Sequence, residues 1–133
     1  MLKSVIYVSK ATSLQAVSHI REFLPRARAH NDAHSITGAL LFDGEHFLQI
    51  LEGPAAQIDA LIARISSDAR HSQVTLLAAL DLPQRAFSGF SMGYLYEPKH
   101  ADLNADLFGA HGLTMEQIWE RAKAVFLESD RVN

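Results

Sequence analysis

From Ser4 to Ser9 the chain reads Ser-Val-Ile-Tyr-Val-Ser, β-branched and aromatic, which predicts a strand. Leu14, Val17, Ile20 and Leu24 then recur at helical spacing behind Thr12 or Ser13 as a cap. Pro25 lacks the amide hydrogen that a helix interior needs, so it is expected to kink this helix or to end it before Arg26 to His30. Ile36 to Phe42 and Glu45 to Leu51 are apolar runs joined by Asp43-Gly44, a hairpin signal. Gly53-Pro54 introduces a second helix, with Pro54 as its first residue and Ile58, Leu61, Ile62 and Ile65 as its apolar stripe. Val74 to Leu80 predicts another strand and Arg85 to Tyr94 one more, with Gly89 at a bulge or a close approach.

The resulting βαββαββ order is the ferredoxin-like pattern, an α+β sheet with two helices on one face. On this reading the first and third strands are central, parallel neighbours. Ile36 to Phe42 and Val74 to Leu80 are apolar at almost every position, so both faces of these strands are expected to be buried. Two helices cover one face only. For the other, Met115, Ile118, Trp119, Ala122, Val125 and Phe126 form a helical stripe after Thr114, a candidate N-cap. A helix over 114–128, led by a shorter helical segment near Ala101 to Phe108, is expected to dock there. The expected organisation is a globular domain over 1–96 and a C-terminal helical extension over 97–133.

Composition narrows the function classes. The 133 residues suit one domain, and 20% charged with 48% hydrophobic residues argues against disorder. Twelve Lys and Arg against fifteen Asp and Glu, a net charge of −3, give no electrostatic footprint for nucleic acid. The absence of cysteine removes disulfides, thiolate zinc sites and cysteine nucleophiles. No apolar run reaches the roughly 20 residues that span a bilayer, and the N-terminal apolar stretch is too short for a secretory signal. A cytoplasmic location is the resulting expectation.

Gln49 is the polar residue that stands out, placed inside Phe47-Leu48-Gln49-Ile50-Leu51. Burying its amide without partners costs on the order of 1–3 kcal/mol. By parity it shares a face with Phe47 and Leu51. Tyr7 sits in the neighbouring central strand. Either residue alone reads as a satisfied core group; as a pair, each donates and accepts, and the two can bond one another and a third group. Asn31 reads as a helix C-cap or as a ligand contact. Asp68-Ala69-Arg70-His71 reads as a polar loop after the second helix or as contact with a polar ligand. His30 and His34 have the spacing of helical zinc ligands, but Pro25 and Asn31-Asp32 argue against a continuous helix and no Glu lies between them, so no metal site is expected. The phosphate-loop, dinucleotide-fingerprint and serine-nucleophile motifs are all missing.

Taken together, Tyr7-Val8-Ser9, Ala27-Arg28-Ala29-His30-Asn31, Ile36-Thr37-Gly38-Ala39-Leu40-Leu41-Phe42, Phe47-Leu48-Gln49-Ile50-Leu51-Glu52-Gly53 and Asp68-Ala69-Arg70-His71 resemble the BLUF family of blue-light sensors using FAD, from about residue 3 to about residue 94. The resemblance implies a flavin held between the two helices of a ferredoxin-like fold. It implies that Tyr7 is the photoactive tyrosine, Gln49 the switching glutamine and Asn31 the asparagine at the flavin's polar edge. It further implies that His30, Arg70 and His71 contact or flank the flavin, that Ile65 lies against the ring, and that Met92 is the methionine of the final strand. In such a photoreceptor Tyr7 gives an electron and a proton, Gln49 relays the proton and ends rotated or tautomerised, and no substrate is turned over. Two departures stand out. Phe90 occupies a position where many relatives have Trp, so an output step needing an indole donor there does not carry over. Pro25 lies within the first helix.

An acylphosphatase-like hydrolase and a ligand-free interaction domain are the alternatives on this fold. The hydrolase needs an Arg in a phosphate-cradling loop after the first strand, where this chain has Lys10-Ala11-Thr12-Ser13. The residues after Tyr94 form no recognisable catalytic domain, so output is expected to pass to a downstream protein or to a homodimer.

Overall fold

The computed structural model describes residues 2–11, 16–67, 71–96 and 113–127, with side chains described at all of these except 11, 16–19 and 71–73. In chain order the elements are β1 (Leu2–Ala11), α1 (Ala16–Ala33), β2 (Thr37–Phe42), β3 (His46–Gly53), α2 (Ala55–Ser66), β4 (His71–Leu82), β5 (Gly93–Tyr96) and α3 (Met115–Leu127). The strands form one sheet in the order β4-β1-β3-β2-β5. The predicted βαββαββ succession is present. The expected segment at Ala101 to Phe108 lies outside the described residues.

β1 and β3 are central neighbours, but they run antiparallel, not parallel. The helix between β1 and β2 returns β2 in the direction of β1, and the tight hairpin reverses β3 before it slots between them. That hairpin is built by Asp43, whose Oδ1 accepts the amide hydrogens of Glu45 at 2.8 Å and His46 at 2.7 Å. Gly44 takes φ +103° in the turn, a conformation that favours glycine.

Helix α1 passes uninterrupted through Pro25. Pro25 and Arg21, whose carbonyl loses its helical partner, both lie on the exposed side, where the lost bond does not bury an unpaired oxygen in the core. The helix ends past Asn31, and it is Ser35, at φ 58°, that takes the left-handed turn. Asn31 is therefore not the cap. Pro54 stands one position before α2, as its N-cap with ψ 136°, and its carbonyl accepts from Gln57 and Ile58.

Two hydrophobic clusters lie on opposite faces of the sheet. Val5, Leu40, Phe47 and Leu51 pack with Ile20 and Leu24 of α1 and Ile58 of α2. Ile6, Val8, Leu48 and Ile50 pack with Ile118, Ala122 and Phe126 of α3. The strand period of two thus sends alternate residues of one strand to different helices. β2 and β3 are buried on both faces, as expected of near-continuous apolar strands. β4 is not: it is an edge strand paired only with β1, and Thr75 and Leu76 are exposed, Leu76 at 53%. Helix α3 is capped reciprocally, Gln117 N donating to Thr114 Oγ1 at 3.1 Å and Thr114 N to Gln117 Oε1 at 2.9 Å. Trp119 Nε1 donates to Ser4 Oγ of β1 at 3.1 Å, and Lys123 Nζ lies 4.1 Å from the indole centroid. Met115, expected in the docking stripe, is exposed at the start of α3.

The stretch read as a strand from Arg85 to Tyr94 divides. Only Gly93–Tyr96 pairs, in parallel with β2; residues 83–92 form a strap from one edge of the sheet to the other, across the ends of β1, β3 and β2. Its hydrogen bonds go to side chains and to isolated backbone groups, not to a paired strand, so its apolar content does not mark a ladder. Glu52, at 0% exposure, accepts from Phe87 N at 2.6 Å, Ala86 N at 2.9 Å and Thr37 Oγ1 at 2.8 Å. Arg85 donates to Thr37 Oγ1 and to the carbonyls of Glu52 and Ser35. Gly89, at φ +88°, sits in an exposed turn with nothing within 4 Å of a Cβ placed there, so it marks neither a bulge nor a close approach.

Candidate functional site

A cavity of about 500 Å³ lies between the sheet and helices α1 and α2, within the range of small-molecule sites. β1 contributes Tyr7, β3 contributes Gln49, and the two are direct cross-strand partners. Leu40 of β2 faces Gln49 from the other side. Tyr7 is 2% exposed and Gln49 5%, so both polar groups stand in a nearly dry row at the cavity floor. The Gln49 amide Nε2 donates to Met92 Sδ at 3.2 Å. A thioether is a weak acceptor, so this amide is held by a bond that is easily exchanged.

The residues that place Met92 come from three directions. Gly38 N donates to Phe90 O at 3.0 Å, Asn31 Nδ2 to Ser91 O at 2.6 Å, and Arg28 Nε to Met92 O at 2.9 Å. Three successive carbonyls are thereby held by β2 and α1. Asn31 is buried in the last turn of α1 and also lines the cavity, its Oδ1 lying 3.5 Å from His30 Nδ1. The rings of His30 and His34 stack at 4.2 Å, with His34 Nδ1 2.7 Å from His30 O. That is a face-to-face pair within and just beyond a continuous helix. Among the described residues no group of three His, Cys, Asp or Glu gathers to hold a metal.

The structure brings Tyr7, His30, Asn31, Gln49, Ile65 and Met92 to this one cavity. Arg70 lies outside the described residues, and His71 is described only as the backbone start of β4. Phe90 is exposed and is not part of the lining. Sequence reasoning missed Arg26 of α1 and Arg64 of α2, which put two guanidinium groups in the lining; no carboxylate joins them among the described residues. Both are exposed helix positions, and no signal in the sequence sets them apart from other surface arginines. Tyr94 of β5, beside this face, has its phenol pushed up from 10.0 to about 12, by burial first and the neighbouring Tyr96 second, with Arg21 opposing.

A flat heteroaromatic with one polar edge fits this lining. Phe23, Leu61 and Ile65 of the helices and Phe47 of the sheet supply apolar walls, while two carboxamides and a phenol supply donors and acceptors.

Comparison with known proteins agrees with this chemistry. Residues 2–93 match the family described as BLUF, sensors of blue light using FAD. The chain is 36% identical over 92 residues to the blue light- and temperature-regulated antirepressor BluF of Escherichia coli (strain K12), covering 69% of this chain and 23% of that one. It is 34% identical over 86 residues to the photoactivated adenylate cyclase subunit beta of Euglena gracilis, covering 65% of this chain and 10% of that one. The chain thus spans a quarter or less of these relatives. The dark-state structure of BlrB, a BLUF protein, superposes with a TM-score of 0.79 at 28% identity, over 96% of this chain and 97% of that one. With its family match extending from β1 into β5, this chain belongs to the BLUF family of blue-light sensors using FAD.

Proposed function

We propose that this chain is a photoreceptor in which Tyr7 and Gln49 are the photoactive pair and the signal passes to a separate protein without substrate turnover. The observation that supports it most directly is the juxtaposition of Tyr7 and Gln49, buried and opposite one another at the floor of a cavity with apolar walls. Among the described residues lining that cavity, Tyr7 is the one phenol and there is no indole, so it is the readily oxidised side chain at hand.

FAD, the family's cofactor, supplies when bound a strong electron acceptor on blue-light excitation. Tyr7 is the electron donor and holds at its Oη the proton that leaves with the electron. Gln49 takes a proton at its carboxamide oxygen and gives one from its nitrogen. When electron and proton have returned to Tyr7, Gln49 is left rotated or tautomerised, its weak bond to Met92 Sδ exchanged for another. Asn31 has one amide hydrogen committed to Ser91 O and keeps the other for the ring's polar edge. His30 and Ile65 would border the ring, and the family resemblance assigns Arg70 and His71 to the same neighbourhood. Arg26 and Arg64 would hold the phosphates of a bound FAD, a role that their charge and exposure favour.

Residues 1–96 are the sensing domain and 97–133 the extension that carries output. The exposed Met115 and Leu127 leave apolar surface on α3 for a partner or a second copy of the chain. No helix among the described residues is long and apolar enough to cross a membrane, and we place the protein in the cytoplasm. The test is colour. Protein purified under flavin-replete conditions absorbs in the visible, releases FAD on denaturation, and shows a reversible red shift after blue light. Colourless protein, or a spectrum unchanged by light, overturns the reading.

A further inference from the structure

The strap over residues 83–92 joins two places that the sheet otherwise separates. Its far end, Met92, belongs to the cluster beneath the cavity and takes the Gln49 amide on its sulfur. Near its start, Phe87 belongs to the cluster on the opposite face and packs edge-on against Phe126 of α3, with ring centroids 5.9 Å apart. Between these ends the strap has little slack. Glu52 holds the amides of Ala86 and Phe87. Phe87 O accepts from Phe90 N at 3.0 Å, closing a turn, and the carbonyls of Phe90, Ser91 and Met92 are held in succession by Gly38, Asn31 and Arg28.

Glu52 is placed where the two halves of this path meet. It lies three residues beyond Gln49 on β3 and points to the other face, in register with Ser4 on the α3 side. A buried carboxylate with three donors on its two oxygens is a stiff joint, since removing one partner leaves a desolvated polar group behind. The bonds of Arg85 to Thr37 and to the Ser35 and Glu52 carbonyls tie the same joint to β2.

We propose that Glu52 is a positioning residue that converts the rearrangement of Gln49 into a repacking of α3. It does so by fixing the strap so that a shift at Met92 or along β3 arrives at Phe87 and is passed to Phe126. The proposal rests on the photoreceptor reading above. It assigns Glu52 no part in the photochemistry itself, because Glu52 does not line the cavity and its carboxylate is bonded to Thr37, Ala86 and Phe87. A Gln at this position presents one acceptor oxygen where the carboxylate has two, and turns an NH2 toward amide donors.

The experiment uses the full chain loaded with FAD. The flavin red shift and hydrogen exchange over 115–127 are both measured in the dark and under blue light. The wild type is expected to show the red shift together with a light-dependent change of exchange in α3. Glu52→Gln is expected to keep the red shift and to lose at least threefold of that light–dark difference. A merely structural role moves dark and light exchange equally and leaves the difference intact. Phe87→Leu, which stays apolar but loses the aromatic edge, is expected to behave as Glu52→Gln does and decides the matter if the latter fails to fold. Retention of the full light–dark difference in the variant that folds overturns the proposal, as does a wild type that red-shifts without any change in α3. A wild type without a red shift overturns the photoreceptor reading instead.

Discussion

Phe126→Ala separates a docked α3 from an idle one. Phe126 is 2% exposed, packed with Ile118 and Ala122 against Leu48 and Ile50 and edge-on to Phe87. Truncating a buried Phe costs about 3–5 kcal/mol, the sum of lost transfer energy and the cavity left behind. Because α3 lies on the outside of the sheet and its seam can partly settle, the lower end, about 3 kcal/mol, is expected. The edge-on contact is contained in that figure. Helix propensity works the other way, as Ala is the better helix former, so any loss observed is due to packing. For a chain of this size a urea m-value of about 1.5–2 kcal/mol per M places the midpoint roughly 1.5–2 M lower. The control is Leu127→Ala, one residue on, where 53% exposure predicts a change within about 0.5 kcal/mol. Both variants and the wild type are unfolded in urea at one flavin concentration, because a bound ligand shifts the midpoint by mass action. Equal midpoints for the two variants, or a loss below about 1 kcal/mol for Phe126→Ala, would refute the docking of α3 on the sheet.

Tyr7→Phe retains the flavin and loses the reversible red shift, since the dissociable proton and the easier electron donor go together; Gln49→Leu does the same by removing the carboxamide, and absorption spectra before and after blue light check both. Asn31→Ala releases flavin faster on dilution and, even in flavin-free protein, costs about 1–3 kcal/mol in urea unfolding because the Ser91 carbonyl loses its donor. The raised phenol of Tyr94 binds its proton more tightly in the folded chain, so its contribution to stability is complete below pH 10 and is lost as pH rises toward 12. The difference in unfolding midpoint between wild type and Tyr94→Phe is therefore level up to about pH 9 and changes only above pH 10, by less than the full linkage slope because Tyr94 is only half-buried. A difference that changes between pH 7 and 9 contradicts the assignment.

The elements with a clean period were legible: the β1 run, the Asp43-Gly44 hairpin, the α2 stripe, and the α3 stripe apart from Met115. The face shared by Phe47, Gln49 and Leu51 followed from parity alone, and Tyr7 joins it through the register that sets it opposite Gln49. Strand direction is not carried by periodicity, but the crossover helix and the Asp43-Gly44 hairpin together dictate it: β2 runs with β1 and the hairpin reverses β3, so a parallel β1–β3 pair conflicts with both signals. The strap was misread because Phe87 and Met92 are apolar for packing on opposite faces, not for alternation within a ladder. Pro25 does not break α1, because its cost is the lost bond, and here the orphaned carbonyl is on the solvent side. Leu76 misled in the other direction: an apolar run says nothing about which strand ends up at an edge. The task of Glu52 is not legible in the sequence, since two of its three partners lie more than thirty residues away in a segment that reads as a strand. Arg26 and Arg64 look like ordinary exposed helix residues until α1 and α2 are set side by side.

The sequence contains a single tryptophan, Trp119. With its indole half-buried on β1 and bonded to Ser4, the protein carries an intrinsic fluorescent label at one defined place, on the face opposite the cavity. The position where many relatives place a tryptophan holds Phe90, so no second indole contaminates the emission. Undocking of α3 carries this indole into water and moves its emission to longer wavelength, while chemistry confined to the cavity floor leaves its hydrogen bond intact. Time-resolved indole emission after a blue flash therefore times the arrival of the signal at the far side of the sheet, on unlabelled protein.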